Sequence, residues 1–247
     1  MNGLVQYPPE NVKLVDNTMY KFINEYKDSL KFNTKTKIHP EGIFEIIINN
    51  CPSDNSDFTN LMCVEFNRSF NLFESQDFIE PVSKTGIQTN IDLGIGSVRF
   101  NTCSKHLASI LSHIIHSSLI AEYIKSEGSF YSVADYFRFM RYTSGGEHFP
   151  HYDSDFVFDP DHVATHSLVV YHSRCEGGEL VFCKDTGSNS KERLDWTSQA
   201  TEDQITLKLS PESIKIVIFP HHLCHAVLPY LGTETRDIIR GDLIFKT

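Results

Sequence analysis

The sequence predicts a mainly β fold with flanking helices (α+β), with a β-sandwich or open barrel in its C-terminal half. From about residue 133 onward, short runs rich in aromatic and β-branched residues alternate with Gly, Pro and Asp turns, and no long helical pattern separates them. The N-terminal half instead contains two segments with helical periodicity. With 247 residues and 40% hydrophobic composition, the chain is large enough to bury one sizeable core.

In the N-terminal half, two amphipathic helices and two strands are predicted. Apolar residues recur at steps of three and four in residues 11–30 and again in residues 104–124, where Ser104 is suited to cap the second helix. Residues 44–48 and 61–66 have the apolar character of short strands.

The C-terminal half is predicted to contain at least six strands. The clearest runs are residues 136–142, 166–172, 179–183, 214–219, 225–230 and 236–245. The polar segment 185–204 between them is predicted to be a loop. We expect one domain over residues 1–247, in which residues 1–130 support a core formed by residues 131–247.

Charge and cysteine content argue against several classes of function. The net charge of −10 does not favour a nucleic acid or an anionic membrane as partner. The six cysteines are scattered without a CxxC pair, which is unlike a zinc site or a disulfide framework. No apolar run approaches the ~20 residues that cross a bilayer, and residues 1–10 lack the order of a signal peptide. We therefore expect a cytoplasmic protein.

A candidate metal site begins with His151 and Asp153. Strand residues two apart project to the same face, so the imidazole and the carboxylate can meet one ion. An HxD pair alone is weak, because it also arises by chance in surface turns. Its context strengthens it, since a Gly turn precedes it at residues 145–146 and a Gly-Gly-Glu-Leu turn follows at residues 177–180.

In this order, the segments resemble the prolyl 4-hydroxylase-like branch of the Fe(II)/2-oxoglutarate oxygenases. That family has a tyrosine before a Gly turn, an HxD motif, an apolar strand with a Gly-Gly-Glu-Leu turn, and a His-x-Val motif followed by a basic residue. The residues of this chain that match the motifs are Tyr142, His151, Asp153, His225 and Arg236. The resemblance covers residues 136–245.

The resemblance implies a distorted double-stranded β-helix, or jelly roll, in which His151, Asp153 and His225 hold Fe(II). Two imidazoles and one carboxylate on one face of an octahedral ion leave three positions open, as in non-haem Fe(II) oxygenases. The family further implies that 2-oxoglutarate and O2 take these positions, that succinate and CO2 are released, and that ascorbate is the usual reductant.

Three histidines compete for the position of the third ligand. His225 is preferred because it begins an apolar strand and is followed by Val227, which matches the His-x-Val motif of the family. His221 and His222 lie in the preceding turn, where we expect exposure to solvent.

Further residues are assigned to the cosubstrate and the substrate. Arg236 is predicted to bind the far carboxylate of 2-oxoglutarate, because a guanidinium can pair with a carboxylate through two charge-assisted hydrogen bonds. Arg240 shares its strand face and remains the alternative. By resemblance, Tyr142 donates a hydrogen bond to 2-oxoglutarate. Arg138, on the same face as Tyr142, and Tyr152, beside the HxD motif, are predicted to contact the substrate.

The predicted function is hydroxylation of an unactivated C–H bond. By resemblance, the first choice of substrate is a prolyl or other side chain of a protein or peptide, and the second is a free amino acid or another small molecule. Two other classes are a zinc or manganese jelly-roll hydrolase or isomerase and a catalytically dead binding scaffold. Arg236 argues against the hydrolase, which needs no basic residue for a dicarboxylate, and the intact His151, Asp153 and His225 set argues against the scaffold.

Overall fold

The computed structural model describes residues 13–14, 33–49, 71, 80–81, 96–118, 120, 123, 129–171, 175–184, 198–212 and 214–247. An α-helix, α1, spans Lys105–His116. The strands of these residues are β1 (Lys13–Leu14), β2 (Asn33–His39), β3 (Ile43–Asn49), β4 (Glu80–Pro81), β5 (Ser97–Cys103), β6 (Ser129–Val133), β7 (Tyr136–Tyr142), β8 (His148–His151), β9 (Phe156–Asp159), β10 (His162–Tyr171), β11 (Leu180–Cys183), β12 (Ile205–Leu209), β13 (Lys215–Pro220), β14 (His225–Val227) and β15 (Arg236–Lys246).

The core strands alternate between two antiparallel sheets. In the larger sheet the neighbouring strands are β7, β15, β10 and β13, in that order, and in the smaller sheet they are β12, β11, β14 and β8. The chain passes from one sheet to the other after β7, β8, β10, β12, β13 and β14. This winding is a jelly roll, or double-stranded β-helix, and the predicted fold class is confirmed.

Strands from the N-terminal half extend the larger sheet at both ends. Strand β3 pairs with β13 and β2 pairs with β3, while β5 pairs with β7 on the other side. Helix α1 covers the outer face of this sheet, where Leu111 and Ile114 are buried in one cluster with Phe137, Leu168 and Ile239. The organisation of the whole chain as one domain stays a prediction.

A second core lies between the two sheets. Met140, Val169 and Phe219 of the larger sheet are buried in one cluster with Leu180 and Phe182 of the smaller sheet. Apolar side chains therefore occupy both faces of the larger sheet, which explains the consecutive apolar residues 168–171 of β10 and 216–219 of β13. None of the helices in the described part of the chain is long and apolar enough to cross a bilayer.

The predicted C-terminal strands are all present, with shifted ends. Strand β7 matches its prediction at both ends, whereas β10 begins four residues earlier than predicted, at His162. Strand β14 ends at Val227 rather than at residue 230, because Pro229 has no N–H to continue the ladder. The described residues 198–204 of the predicted loop are turns and irregular backbone, as expected.

The N-terminal predictions are confirmed only in part. Strand β3 lies at the predicted position, and the second helix begins as predicted after Ser104 but ends earlier, at His116. The predicted strand 61–66 and most of the predicted helix 11–30 lie outside the described residues. The helix prediction is wrong at Lys13–Leu14, which pair with β5 as a strand.

Several strands were missed, and the polar sequence of β2 shows one reason. Strand β2 reads Asn-Thr-Lys-Thr-Lys-Ile-His, with Lys35 and Lys37 exposed, and it forms through pairing with β3 rather than through its own hydrophobicity. Strands β5, β6, β8, β9 and β12 were also not predicted.

The N-cap of α1 generates a first prediction. The Ser104 hydroxyl accepts a hydrogen bond from the backbone N–H of Leu107 at 3.2 Å, and Ser104 is buried. Ser104→Ala should lower the free energy of unfolding by about 1 kcal/mol, because it leaves a buried donor of the first helical turn unpaired. Urea unfolding would measure this, with Lys105→Ala at the exposed next position as control, expected to change stability by less than about 0.5 kcal/mol. Equal effects of the two changes would contradict a capping role.

Candidate metal centre

His151, Asp153 and His225 come together at the edge of the smaller sheet. His151 is the last residue of β8 and lies in register with His225, the first residue of β14. Asp153 follows two residues after His151. One ligand atom of each side chain lies within 4.8 Å of the others, and the two imidazole centroids are 4.2 Å apart. All three residues line a cavity of about 530 Å³ between the two sheets.

Backbone carbonyls fix the orientation of both imidazoles. His151 Nδ1 lies 2.8 Å from the carbonyl oxygen of Phe149, and His225 Nδ1 lies 3.0 Å from that of Leu223. A carbonyl can only accept, so each Nδ1 carries the proton and donates it. Each Nε2 is then left with the free lone pair that a metal ion requires.

The protonation states of the cluster also suit a divalent metal. Burial lowers the pKa of His225 to about 4, and neighbouring His151 acts in the same direction. Burial alone would raise the pKa of Asp153, but His225, His151 and a hydrogen bond from Ser167 outweigh it, so this pKa is lowered. Near neutral pH, His225 is therefore neutral and Asp153 is ionised, as metal coordination demands.

A polar network holds the Asp153 carboxylate. Arg240 Nη2 lies 2.8 Å from Oδ1 of Asp153, and the Ser167 hydroxyl donates to Oδ2 at 2.5 Å. The same Arg240 nitrogen lies 3.0 Å from Ser167 Oγ and 3.2 Å from Oδ1 of buried Asp242. Arg240 is thus engaged with the candidate metal ligand.

His221 is buried rather than exposed, so the expectation for it was wrong. Its Nδ1 lies 2.9 Å from Asp155 Oδ1 and its Nε2 lies 3.2 Å from Asp242 Oδ1. Burial would lower its pKa, but hydrogen bonds to the two carboxylates outweigh burial and raise the pKa to about 9. His221 is therefore a buried imidazolium, which offers no lone pair to a metal. His222 is exposed, as expected.

Arg236 is a fully buried cation whose guanidinium makes no hydrogen bond with the described residues. Its side chain lies between two aromatic rings, with Cζ 5.1 Å from the ring centroid of Tyr142 and 5.3 Å from that of Tyr171. Nε, Nη1 and Nη2 are buried without a hydrogen-bond partner in the part of the chain that the structure describes. Tyr142 and Tyr171 line the same cavity as the three candidate ligands. A buried charge in this state is costly unless an anion joins it.

Two features around Arg236 were missed in the sequence. Tyr171, the last residue of β10, flanks the guanidinium, and burial raises its pKa to about 12. Gly178 has φ +68°, and a Cβ atom there would clash with Arg236 Nη1. The Gly-Gly turn was noticed as a motif, but its role in leaving room for the arginine depends on strands far apart in the sequence.

The predicted substrate residues Arg138 and Tyr152 both line the cavity, together with Arg99 and His148, which were not assigned to it. His148 is buried with its ring centroid 4.3 Å from that of His151, and burial lowers its pKa well below the usual range. Arg138 Nη1 lies 3.6 Å from Asp242 Oδ2, and the Arg138 side chain is 29% exposed. Arg138 therefore belongs to the outer part of the cavity wall.

No family model and no curated protein matches the sequence. Among solved structures, the chain is similar to a prolyl-4-hydroxylase from Pseudomonas putida (TM-score 0.48, 13% identity, covering 93% of this chain and 100% of that one). It is also similar to a prolyl hydroxylase from Trichoplax adhaerens in complex with a hypoxia inducible factor peptide fragment (TM-score 0.49, 14% identity, 83% and 84% covered). A third is a 2OG-Fe(II) oxygenase family oxidoreductase from Burkholderia pseudomallei (TM-score 0.44, 11% identity, 94% and 92% covered). With TM-scores below 0.5, function must be inferred from the site itself.

The buried His221 imidazolium gives a pH-dependent prediction. Its folded pKa of about 9 lies above the ordinary imidazole value of ~6.5. Its contribution to stability is therefore complete below ~pH 6.5 and is lost as the pH rises through about 9. His221→Asn should destabilise the metal-free protein more at about pH 6 than at about pH 9.5, measured by urea unfolding. His222→Asn is the matched control and should show no such difference; equal destabilisation of His221→Asn at both pH values would refute a charged His221.

Proposed function

We propose that this chain is an Fe(II)- and 2-oxoglutarate-dependent dioxygenase that hydroxylates an unactivated C–H bond. The observation that carries the proposal is the buried guanidinium of Arg236, which makes no hydrogen bond with the described residues. It lies between Tyr142 and Tyr171, which line the cavity that contains a two-histidine, one-carboxylate cluster. The cluster alone would suit several metals and reactions. A buried, uncompensated cation next to it calls for an anionic ligand as well.

The donor set fits Fe(II). His151 and His225 would each supply a neutral Nε2, and Asp153 would supply a carboxylate oxygen, which is the ligand set of the facial triad. The iron, when bound, would supply the activation of O2 that couples oxidative decarboxylation of 2-oxoglutarate to oxidation of the substrate. The protein residues contribute positions, charge and the exclusion of water.

The surroundings of Arg236 fit the cosubstrate. Its guanidinium would pair with the far carboxylate of 2-oxoglutarate. The Tyr142 hydroxyl, whose one hydrogen-bond contact with the described residues is to Met140 Sδ at 4.0 Å, would donate a hydrogen bond to the same cosubstrate. The apolar side chains of Leu180 and Phe219 line the cavity and reduce its water content. In that setting a charge-assisted pair is stronger than it would be in water.

The network around Asp153 keeps one metal ligand ionised and in place. Arg240 and Ser167 occupy both carboxylate oxygens, and Asp242 is shared between Arg240 and His221. Arg240 is therefore assigned to the metal ligand and Arg236 to the cosubstrate. Partners of this kind commonly change metal affinity by about 10–100-fold when they are removed.

For the substrate, our first proposal is a prolyl or other side chain of a protein or peptide, and a free amino acid or other small molecule is the second. A zinc or manganese hydrolase would use the same three ligands but would leave Arg236 buried without a role. A dead scaffold would have no need of three ligand atoms within 4.8 Å of one another. The oxygenase accounts for both features.

The metal assignment predicts the outcome of three substitutions. His151→Ala, Asp153→Ala and His225→Ala should each lose Fe(II) binding by more than the roughly 10–100-fold expected of an outer partner. Anaerobic titration of the metal-free protein with Fe(II) would measure this, with exposed His222→Ala as the control. Full binding in His225→Ala together with loss in His221→Ala would show that the wrong histidine is assigned.

The cosubstrate assignment predicts a separation between the two arginines. Arg236→Ala should raise the KM for 2-oxoglutarate at least ~100-fold, because losing one partner of a buried charge pair costs ~3–5 kcal/mol. Fe(II) binding should survive, and Arg236→Lys should be intermediate, since it keeps the charge without the two-pronged geometry.

Arg240→Ala is the comparison for Arg236→Ala. It should weaken Fe(II) binding about 10–100-fold through Asp153 and leave the KM for 2-oxoglutarate nearly unchanged. A rise in this KM confined to Arg240→Ala would exchange the two assignments. No 2-oxoglutarate decarboxylation by the Fe(II)-loaded wild-type protein would refute the proposed function.

A further inference from the structure

A row of arginines crosses the inner face of the larger sheet. Arg138 of β7 is the register partner of Arg240 in β15. On the other side of β7, Arg99 of β5 is paired with Met140, two residues from Arg138 and on the same face. Arg99, Arg138 and Arg240 all line the cavity. Like charges on neighbouring strands destabilise a sheet unless anions compensate them, so such a row calls for an explanation.

Carboxylates of the described residues compensate Arg240 well but Arg138 only weakly. Arg240 is 2.8 Å from Asp153 and 3.2 Å from Asp242. Asp242 also faces His221 at 3.2 Å, and Arg138 reaches it only at 3.6 Å. Arg138 Nη1 is buried and makes no hydrogen bond within the described residues. Opposite Arg138 in the register, Asn101 Oδ1 is buried and equally unbonded there.

The Arg138 side chain is also restricted in its movement and accessible from solvent. Its Cζ lies 5.2 Å from the centroid of the Tyr136 ring, so the guanidinium rests on an aromatic surface that limits its movement. Its side chain is 29% exposed, whereas Arg236 is 1% exposed. Arg138 therefore stands where a molecule entering from solvent would meet it.

Arg138 lies away from Arg236, the residue proposed to bind 2-oxoglutarate. Arg236 is in register with Tyr142, and Arg240 is in register with Arg138. Arg138 and Arg236 are therefore four residues apart along the direction of the strands. At about 3.3 Å per residue this is a separation of about 13 Å along the sheet. Asp153 pairs with Arg240, the register partner of Arg138, so the metal cluster lies at the same position along the strands as Arg138. An anion at Arg138 would thus be a second ligand, near the metal cluster and remote from Arg236.

We infer that the molecule to be oxidised carries a carboxylate, and that Arg138, with Arg99 beside it, binds this carboxylate at the outer part of the cavity. The inference rests on the proposed function, because it assigns to the same site the molecule whose C–H bond is oxidised. The carboxylate could belong to a small acid, such as an N-blocked or free amino acid, or to an acidic side chain of a peptide. Both sources would make the same two-pronged contact with a guanidinium.

The test compares pairs of probes that differ only in this charge. Metal-free protein is titrated calorimetrically with N-acetyl-L-proline and its uncharged amide, and with the blocked dipeptides acetyl-Pro-Glu-amide and acetyl-Pro-Gln-amide. In one of the pairs the acid should bind at least about tenfold more tightly than its neutral analogue. The pair that shows the preference identifies the source of the carboxylate.

Substitutions show which residue produces the preference for the acid probe over its neutral analogue. Arg138→Gln should abolish it and Arg138→Lys should retain part of it, while Arg236→Ala should leave it intact. Lys208→Gln is the matched control, since Lys208 is an exposed cation paired with exposed Glu202 and lies away from the cavity. Equal or undetectable binding of acid and neutral probes in both pairs overturns the inference. So does a preference that is lost in Arg236→Ala and kept in Arg138→Gln, because the probe would then occupy the cosubstrate position.

A separate measurement distinguishes failure of this inference from failure of the proposed function. Fe(II)-loaded protein should decarboxylate 2-oxoglutarate slowly without any substrate, and Lys208→Gln should not change that rate. If decarboxylation is present and the acid preference is absent, only the substrate class is wrong. If decarboxylation is absent, the proposed function fails whatever the titrations show.

Discussion

The register of β15 against β7 and β10 is the constraint on which the candidate site depends. Side chains alternate between the faces of a strand, so this register places Arg236 and Arg240 on the inner face and Asp237 on the outer one. On that outer face Asp237 pairs with Arg141 through contacts of 2.8 and 2.9 Å. A shift of one residue would bury the Asp237–Arg141 pair between the sheets and turn the inner cations outward, so both faces favour the same alignment.

The inner face carries an unusual concentration of charge for a jelly-roll core. Arg240, Asp242 and His221 compensate one another around Asp153, and each charge in this group has at least one partner within 3.2 Å. Arg236 differs, because its two neighbours are aromatic rings. The groups around the candidate metal ligand Asp153 are thus paired with one another, whereas the Arg236 guanidinium makes no hydrogen bond with the described residues. This division agrees with sites that are organised before their ligands arrive.

The sequence was informative where function depends on local spacing. The HxD spacing and the apolar strands predicted His151, Asp153 and the core of the larger sheet, because alternation within one strand is a local property. His221 was misjudged, since its two carboxylate partners, Asp155 and Asp242, lie 66 and 21 residues away. Strand β2 was missed for a related reason, as a polar segment becomes a strand only through its neighbour. Contacts made by tertiary pairing leave little trace in the pattern of a single segment.

The close approach of Gly178 to Arg236 has a consequence for how such a site can diversify. The turn and the arginine belong to different strands, yet the space at one is occupied by the other, with φ +68° at the glycine. A lineage that moved this arginine would have to shift it by two positions along β15 to keep it on the inner face, and a void would remain beside the glycine. A lineage that replaced the glycine would first have to relocate the arginine. The two positions are therefore expected to change together or not at all.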